Sequence, residues 1–348
     1  MSARDSPDKE SGEHLKGDST MVAAIAQAQG KDLFASFREP AWHRLGNVFT
    51  EEVTEYQRML VLSGLADWNV RQVPMFTESG IEIPGQYAIL ADINGETRVL
   101  GVTGERYEII SNESAFAFLQ SLADGARWET AGALKNGSVV FGSIAFERET
   151  VLDPTGVADV VKTYALVHTS HNGSKGLGGG LTPTRVVCQN TLNVALGNLD
   201  WRFKIRHTAS AEERMVAQAE LFRQAHVYFD AFEEEAQALY AKPVTDKQYD
   251  NLVTKIVGKA PENNVKGALT KYENKRELFT QAWKGAPNAG IRGTGWGAFN
   301  ALTEANQWGR NTQDTDNGAE NFAAAGAGFD IPTNAFRQKS LELVKAIR

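Results

Sequence analysis

The sequence predicts an α+β protein in which an antiparallel β-meander sheet is backed by helices and followed by a helical C-terminal region. Three observations lead to this prediction. Strand-like alternation with hairpin turn signals dominates the first half of the chain, and amphipathic helical periodicity dominates the second half. Between them lies a stretch rich in glycine, histidine and basic residues, 161–207. With 348 residues, the chain is long enough to bury a core without disulfides.

These patterns divide the chain into four parts. Residues 1–35 are predicted to form a disordered N-terminal arm, because Ser, Asp, Glu, Lys and Gly are frequent there and apolar periodicity is absent. Residues 36–208 form the predicted β-rich core, and 209–310 form a helical region packed on it. Residues 311–348 are predicted to be a loose loop followed by a terminal helix.

Local signals place the elements of the first half. A helix is predicted over 54–65, with Gly64 near its end. Four later segments alternate as strands do: 87–92, 97–102, 128–134 and 138–146. Asn94-Gly95 between the first two is typical of a type I′ hairpin turn. Ser111 is a candidate N-cap for a short helix that precedes the second pair of strands.

The central stretch predicts a strand, a loop, a helix and a second strand. The first strand covers 159–169, and the glycines of 176–180 are expected to form a mobile loop that lets the backbone approach a partner. Thr182 and the proline after it predict the start of a helix that ends at Gly197. Residues 201–206 alternate again as a strand. Amphipathic helices are then predicted at 211–240, 245–257, 268–283, 294–308 and 334–347.

Charge is distributed unevenly along the chain. The net charge is −7, but the stretch 161–207 has six basic residues against one acidic residue, Asp200, which gives +5 there and −12 elsewhere. The six cations are Lys162, Lys175, Arg185, Arg202, Lys204 and Arg206. A strand over 201–206 would place the last three along one face, where they could contact successive phosphates. The alternative is a solvated edge strand whose charges prevent aggregation.

The side chains with catalytic or metal-binding chemistry do not form a recognised motif. His168, His171 and Cys188 lack the spacing of known zinc patterns, and Cys188 falls among apolar residues where a thiol is usually inert. The glycine run is not followed by the Gly-Lys-Ser/Thr of a P-loop. We therefore predict no enzyme activity, no metal and no cofactor. His168, His171, Asn172 and Gly173 are interpreted as residues that shape the loop.

Compartment is indicated by what the chain lacks. The single cysteine cannot form an internal disulfide, and no apolar run reaches the roughly 18 residues of a membrane span. The N-terminus has no basic region followed by an apolar one, so a secretory signal is not predicted. These features favour a cytoplasmic protein without a membrane partner.

Several short motifs also carry a family resemblance. They are Trp42-His43-x-Leu45-Gly46, Ala131-Gly132, Ser170-His171-Asn172-Gly173-Ser174, the run from Thr182 to Leu192, and Gly293-Thr294-x-Trp296 followed by Asn300-Ala301-Leu302-Thr303-Glu304. Over about 40–310 the chain resembles the phage/plasmid-like proteins of the domain of unknown function 932 group. That group in turn resembles the single-strand annealing proteins of the Rad fifty-two type. The second resemblance implies a β-sheet core backed by a helix, and subunits assembled in rings or filaments.

Together these observations predict a non-catalytic protein that binds single-stranded DNA and promotes annealing in phage or plasmid recombination, as a homo-oligomer. The six cations are expected to contact phosphates, and Trp201 or Phe203 to stack on a base. One alternative is an acidic protein-interaction or virion-associated component that does not bind nucleic acid. A less favoured alternative is a metal-dependent hydrolase that uses His168 and His171.

Overall fold

The computed structural model describes residues 25–38, 46–123, 125–153, 155–185, 190–191, 202–222, 224–261, 266–311 and 331–348. Its strands are β1 Gln27–Ala28, β2 Lys31–Asp32, β3 Phe34–Phe37, β4 Asn47–Phe49, β5 Arg71–Phe76, β6 Glu82–Ile93, β7 Glu96–Gly104, β8 Arg127–Leu134, β9 Val139–Leu152, β10 Asp159–Ser170, β11 Leu177–Arg185, β12 Asn190–Thr191 and β13 Arg202–Ile205. Its helices are α1 Tyr56–Ser63, α2 Asn112–Leu122, α3 Ala211–Phe222, α4 Ala225–Ala241, α5 Asp246–Val257, α6 Lys266–Lys284, α7 Gly295–Asn311 and α8 Ile331–Lys345. The predicted α+β class is confirmed.

The main sheet has the strand order β12-β11-β10-β9-β8-β3-β4, and β13 pairs with β11 beside β12. All of its pairs are antiparallel except β3 with β4. A smaller antiparallel sheet consists of β5, β6 and β7. The β6–β7 hairpin turns at Asn94 and Gly95, both with positive φ, as the sequence predicts.

One face of the main sheet packs on helices. Phe116 of α2 stacks on Trp128 of β8 with ring centroids 5.0 Å apart, and both rings lie over Gly142. The helix begins where the sequence predicts, because the Ser111 hydroxyl accepts a hydrogen bond from the backbone N–H of Ser114. Both aromatic rings are fully buried between the sheet and the helix.

The C-terminal helices pack on one another and are linked to the sheet by a buried contact. The Trp296 indole N–H of α7 donates a hydrogen bond of 2.8 Å to Asp159 Oδ2 at the start of β10. Trp296 and Asp159 are both buried. α5 begins with a capping box formed by Thr245 and Gln248, within one residue of the predicted start. None of the helices in the described ranges combines the length and apolarity of a membrane span.

The structure corrects four predictions about elements. Residues 27–37, of which 27–35 fall in the predicted disordered arm, carry β1 to β3, and Ile25 already pairs with Leu134. The helix predicted over 211–240 is two helices, α3 and α4. The predicted mobile loop at 176–180 is largely strand, since Leu177–Gly180 pair with β13 and Gly178–Gly180 also pair with β10. The fourth correction concerns the helix predicted from Thr182.

Thr182, Pro183 and Thr184 lie in β11 and not at a helix start. On one side, Pro183 pairs with Thr163 of β10. On the other side, β13 pairs with Leu177–Gly180 and β12 pairs with Thr184 and Arg185, so Pro183 has no strand partner there among the described residues. A proline is tolerated in a strand where no neighbour needs its missing N–H. Pairing with β10 therefore overrides the local capping signal. Arg185 ends β11 and Asn190–Thr191 form β12, while the rest of that predicted helix, including Cys188, is outside the described residues.

Candidate nucleic-acid interface

The predicted basic strand is present as β13, at the edge of the main sheet. Its four residues pair antiparallel with Leu177–Gly180 of β11. Phe203 and Ile205 are buried, whereas Lys204 and the following Arg206 are exposed and Arg202 is half-buried. The predicted strand and its alternation of apolar and cationic residues are confirmed. Residues two apart in a strand are about 7 Å apart, so Arg202 and Lys204 have this spacing on β13, and Arg206 follows directly after the end of the strand.

The glycines of β11 allow β13 to approach closely. A methyl group on Gly179 would overlap the carbonyl oxygen of Leu166 and would lie 2.6 Å from Cζ of Phe203. A methyl group on Gly176 would overlap the carbonyl oxygen of Ile205. Real side chains do not reach such distances, so the two positions require glycine for packing. The glycine run therefore positions the basic strand and does not form a mobile loop.

Lys175 and Lys204 lie near the same buried histidine. The register across the sheet places His168 opposite Gly178, and Gly178 opposite Lys204. Because glycine has no side chain, nothing from Gly178 separates His168 from Lys204. Burial and, to a smaller extent, the nearby charges of Lys175 and Lys204 together lower the pKa of His168 to about 3. We call Lys175, Arg202, Lys204 and Arg206 the cationic edge.

Lys162 does not belong to the cationic edge. It is six residues before His168 on β10, which corresponds to about 20 Å along a strand. Its ammonium forms an ion pair of 3.1 Å with Glu149 of β9. Arg185 ends β11 opposite Val161, and its side chain, like Trp201, is outside the described residues. The six predicted cations therefore do not share one patch.

The charges around Lys162 belong to a balanced cluster that the sequence analysis missed. Arg127 contacts Glu129 at 3.3 Å, and the guanidinium groups of Arg38 and Arg127 lie 4.5 and 4.6 Å from the centre of the Phe37 ring. Burial raises the pKa of Glu129, and the positive charge of Arg127 lowers it by a smaller amount. These residues are brought together from three strands, so no spacing in the sequence could indicate the cluster.

Phe203 is not available to stack on a base. Its ring is only 6% exposed and makes edge-to-face contacts with Phe118 and Phe222, with centroids 5.2 and 5.6 Å away. The assignment of Phe203 as a stacking residue is therefore wrong. The physical reason is the alternation itself, because the face opposite the cations is the one covered by α2 and α3.

The turn after β10 is held by a buried histidine. His171 is fully buried. The amide nitrogen of Asn112 donates to the Leu65 carbonyl, which leaves Asn112 Oδ1 to face His171. This oxygen therefore accepts a hydrogen bond of 2.9 Å from the Nε2–H of His171. Asn172 Oδ1 accepts from the Ser174 N–H, and Gly173 takes a φ of +71°. His168 lies inside β10, so its assignment to the loop is wrong.

A third histidine completes this polar region. His207 Nδ1–H donates to the Glu108 carbonyl at 3.0 Å, and its Nε2 is 3.2 Å from the Thr169 hydroxyl. Tyr107 stacks on His207 at 4.8 Å and donates to the Ser170 carbonyl. Burial lowers the pKa values of His171, to about 3, and of His207. These two uncharged rings form hydrogen bonds that connect β10 and the turn after it to α2 and to the segment after β7. Their role in the described structure is therefore to hold these elements together.

The close spacing of His168 and His171 in the sequence is the basis of the alternative with a metal centre. Within the parts of the chain that the structure describes, no three His, Cys, Asp or Glu side chains come together as metal ligands would. Cys188, the third member of the considered trio, is outside those parts. Asn112, which bonds to His171 across 59 residues of sequence, is a member of the site that the sequence analysis missed.

The fold and the candidate site define an α+β protein with a row of cations on the edge of its main sheet. The chain belongs to the family described as domain of unknown function (DUF932), which matches residues 99–326. No curated protein matches the chain. No solved structure matches it either. The resemblance to annealing proteins of the Rad fifty-two type remains a prediction.

Proposed function

We propose that the protein binds single-stranded DNA along the cationic edge and promotes annealing in phage or plasmid recombination, in the cytoplasm and without catalysis. One observation carries this proposal. Lys204 and Arg206 are exposed at successive outward positions, and neither makes an ion pair with another described residue. Elsewhere, Arg58, Arg148 and Lys345 are each paired with a carboxylate. Uncompensated cations at regular spacing are what phosphate binding requires.

The burial of Phe203 supports annealing in particular. Contacts to phosphates fix the position of a strand but do not occupy the edges of its bases. A strand that is held by β13 through phosphates, without stacking on Phe203, keeps its bases available to a complementary strand. A homo-oligomer would extend the cationic edge over more phosphates, and it is part of this proposal.

The test compares two double variants in an anisotropy titration with a labelled single-stranded oligonucleotide. Lys204→Gln with Arg206→Gln removes two charges from the cationic edge. Lys31→Gln with Arg58→Gln removes two exposed charges from β2 and α1 as the matched control. The first variant is expected to weaken binding strongly at low salt and to reduce the slope of log affinity against log salt by about 1.4. Equal behaviour of the two variants would contradict the proposal.

The alternative of a protein-interaction component is favoured by the outer face of α3. Val216 and Leu221 are 69% and 55% exposed there, beside the exposed acidic residues Glu212, Glu213 and Glu220. An exposed face that combines apolar and acidic groups suits a protein partner. Wild-type protein that binds no oligonucleotide at low salt would favour this alternative.

A further inference from the structure

We propose that the end of the α5–α6 hairpin is a second surface that binds nucleic-acid phosphates. The surface consists of Lys255, Lys259, Lys271 and Lys275, which we call the hairpin tip. This inference rests on the proposed function for its ligand class, but it concerns residues far along the chain from β13. All four lysines are exposed.

The hairpin is basic in a chain that is otherwise acidic. Residues 246–284 contain eight lysine and arginine residues against five acidic residues, a net charge of +3, while the whole chain carries −7. The sequence stretch 161–207 is thus not the one basic region of the protein. Such an excess of one sign on an exposed element creates a local field that attracts polyanions.

Contacts between the two helices place the lysines at the same end of the hairpin. Tyr249 donates to the Phe279 carbonyl, and Arg276 Nη1 donates to Thr254 Oγ1 at 3.0 Å. From Tyr249 to Thr254 the residue number on α5 rises, whereas the number of the contacting residue on α6 falls from 279 to 276, so the two helices are antiparallel. Lys255 and Lys275 are adjacent in sequence to Thr254 and Arg276, which are in contact, and are therefore at the same level along the hairpin. Lys271 lies one further turn along α6, and Lys259 follows the end of α5 at Val257.

Nearby carboxylates are directed away or already neutralised. Asp250 forms its ion pair with Arg276, and Asp246 forms one with Arg292. Glu273 lies about 200° around the helix from Lys271, at roughly 100° per residue, and so is on the opposite side of α6. None of the four lysines makes an ion pair with a residue in the described ranges. Among the described residues, the hairpin tip therefore presents four exposed lysines without an ion-paired carboxylate.

The chemistry of the hairpin tip favours phosphates over a folded protein. Protein interfaces are depleted in lysine and depend on buried aromatic or arginine anchors. The aromatic residue nearest in sequence, Tyr272, is half-buried with the Arg276 guanidinium 5.9 Å from its ring centre. Lysine acts as a mobile point charge, which suits the diffuse charge of a nucleic-acid backbone.

The experiment replaces two lysines at each end of the same hairpin. Lys255→Gln with Lys275→Gln alters the hairpin tip, and Lys247→Gln with Lys284→Gln is the control with the same loss of charge from exposed positions at the other end. Anisotropy titrations use labelled single-stranded and duplex oligonucleotides over a range of salt. The tip variant is expected to lose about 1.4 from the salt slope with single strands and about 1.8 with duplex. Identical slopes for the tip and control variants overturn the inference.

Two further readouts separate this inference from the proposed function. If the β13 variant weakens binding while the tip variant matches its control, the proposed function stands and the second surface is rejected. If the tip variant weakens binding and the β13 variant does not, the second surface stands and the cationic edge is rejected. Sedimentation velocity of the tip variant is expected to match wild type. A change in association state with unaltered oligonucleotide binding would assign the tip to a second copy of the chain and overturn the inference.

Discussion

Single residues on β11 and β10 determine whether the basic strand can be placed at the sheet edge. Gly179 is the clearest case, because any side chain there meets both a backbone carbonyl and the buried Phe203 ring. The ring cannot move away easily, since Phe118 and Phe222 pack against it. The cationic row therefore depends on a residue that carries no charge.

Gly179→Ala is expected to lower the free energy of unfolding by about 1–3 kcal/mol, the range typical of overpacking. Urea denaturation gives the measurement. Gly267→Ala is the matched control, because Gly267 lies in α6 with nothing within 4 Å of an added methyl group. The control should be neutral or more stable by up to about 1 kcal/mol. A Gly179→Ala protein as stable as the control would show that β13 is not packed against β11 as described.

The buried histidines predict a pH dependence of stability. Their pKa values of about 3 in the folded protein compare with about 6.5 in an unfolded chain. Below pH 6.5 the unfolded state therefore binds protons that the folded state does not, and stability falls as the pH decreases towards 3. Each histidine contributes up to about 1.4 kcal/mol per pH unit in that window.

His171→Gln isolates one of these contributions. Glutamine keeps a donor for Asn112 but removes the titrating group, so the stability lost between pH 6.5 and 5.5 should be smaller by about 1 kcal/mol than in wild type. His226→Gln replaces an exposed histidine on α4 and serves as control. Urea unfolding at several pH values provides the comparison, and a wild-type slope in the His171 variant would refute the assignment.

At the scale of elements, the sequence predicted well wherever a local signal determines structure. The Asn94-Gly95 turn, the Ser111 cap and the capping box of Thr245 all depend on groups within four residues of one another. The segment from Gly176 to Thr184 was mispredicted because its conformation depends on two distant strands. Glycines and a proline weaken a strand in isolation, but here they allow close packing and mark an unpaired edge position.

The candidate site shows the same division. Alternation in 201–206 was sufficient to predict a strand with cations on one side, because that pattern is local. The sequence could not show which cations come together. Lys162 and Lys175 are only 13 residues apart in the basic stretch 161–207, yet Lys175 lies near His168 together with Lys204, whereas Lys162 is paired with Glu149. The contacts of His171 with Asn112 and of His207 with Tyr107 span 59 and 100 residues, with no motif to indicate them.

The link between the helical region and the sheet can be tested at Trp296. Trp296→Phe removes the hydrogen bond to the buried Asp159 and is expected to cost about 1–3 kcal/mol in urea unfolding. Trp283→Phe is the matched control, since Trp283 donates a similar hydrogen bond of 2.9 Å to Asp246. The Asp246 side chain is 65% exposed, and its ion pair with Arg292 remains in the variant. The control should cost less because water can replace the indole. Equal costs would contradict the role of Asp159 as a buried anchor.

At the scale of the whole molecule, the distribution of charge matters more than its total. A net charge of −7 would argue against nucleic acid, yet exposed cations lie on β13, directly after it and on the hairpin tip. Acidic residues are concentrated on α3 and α4, where Glu233 and Asp230 are paired with Arg148. A strand of DNA would thus be attracted to defined parts of the surface and repelled from others.

The central claim is that the protein accelerates pairing of complementary strands, and a fluorescence assay of annealing tests it most directly. Two complementary oligonucleotides, one with a donor and one with an acceptor dye, are mixed with protein at low salt. Wild type is expected to raise the annealing rate well above the spontaneous rate, and the Lys204→Gln, Arg206→Gln variant is expected to lose most of that increase. A spontaneous rate in the presence of wild-type protein, or full activity of the variant, would contradict the account.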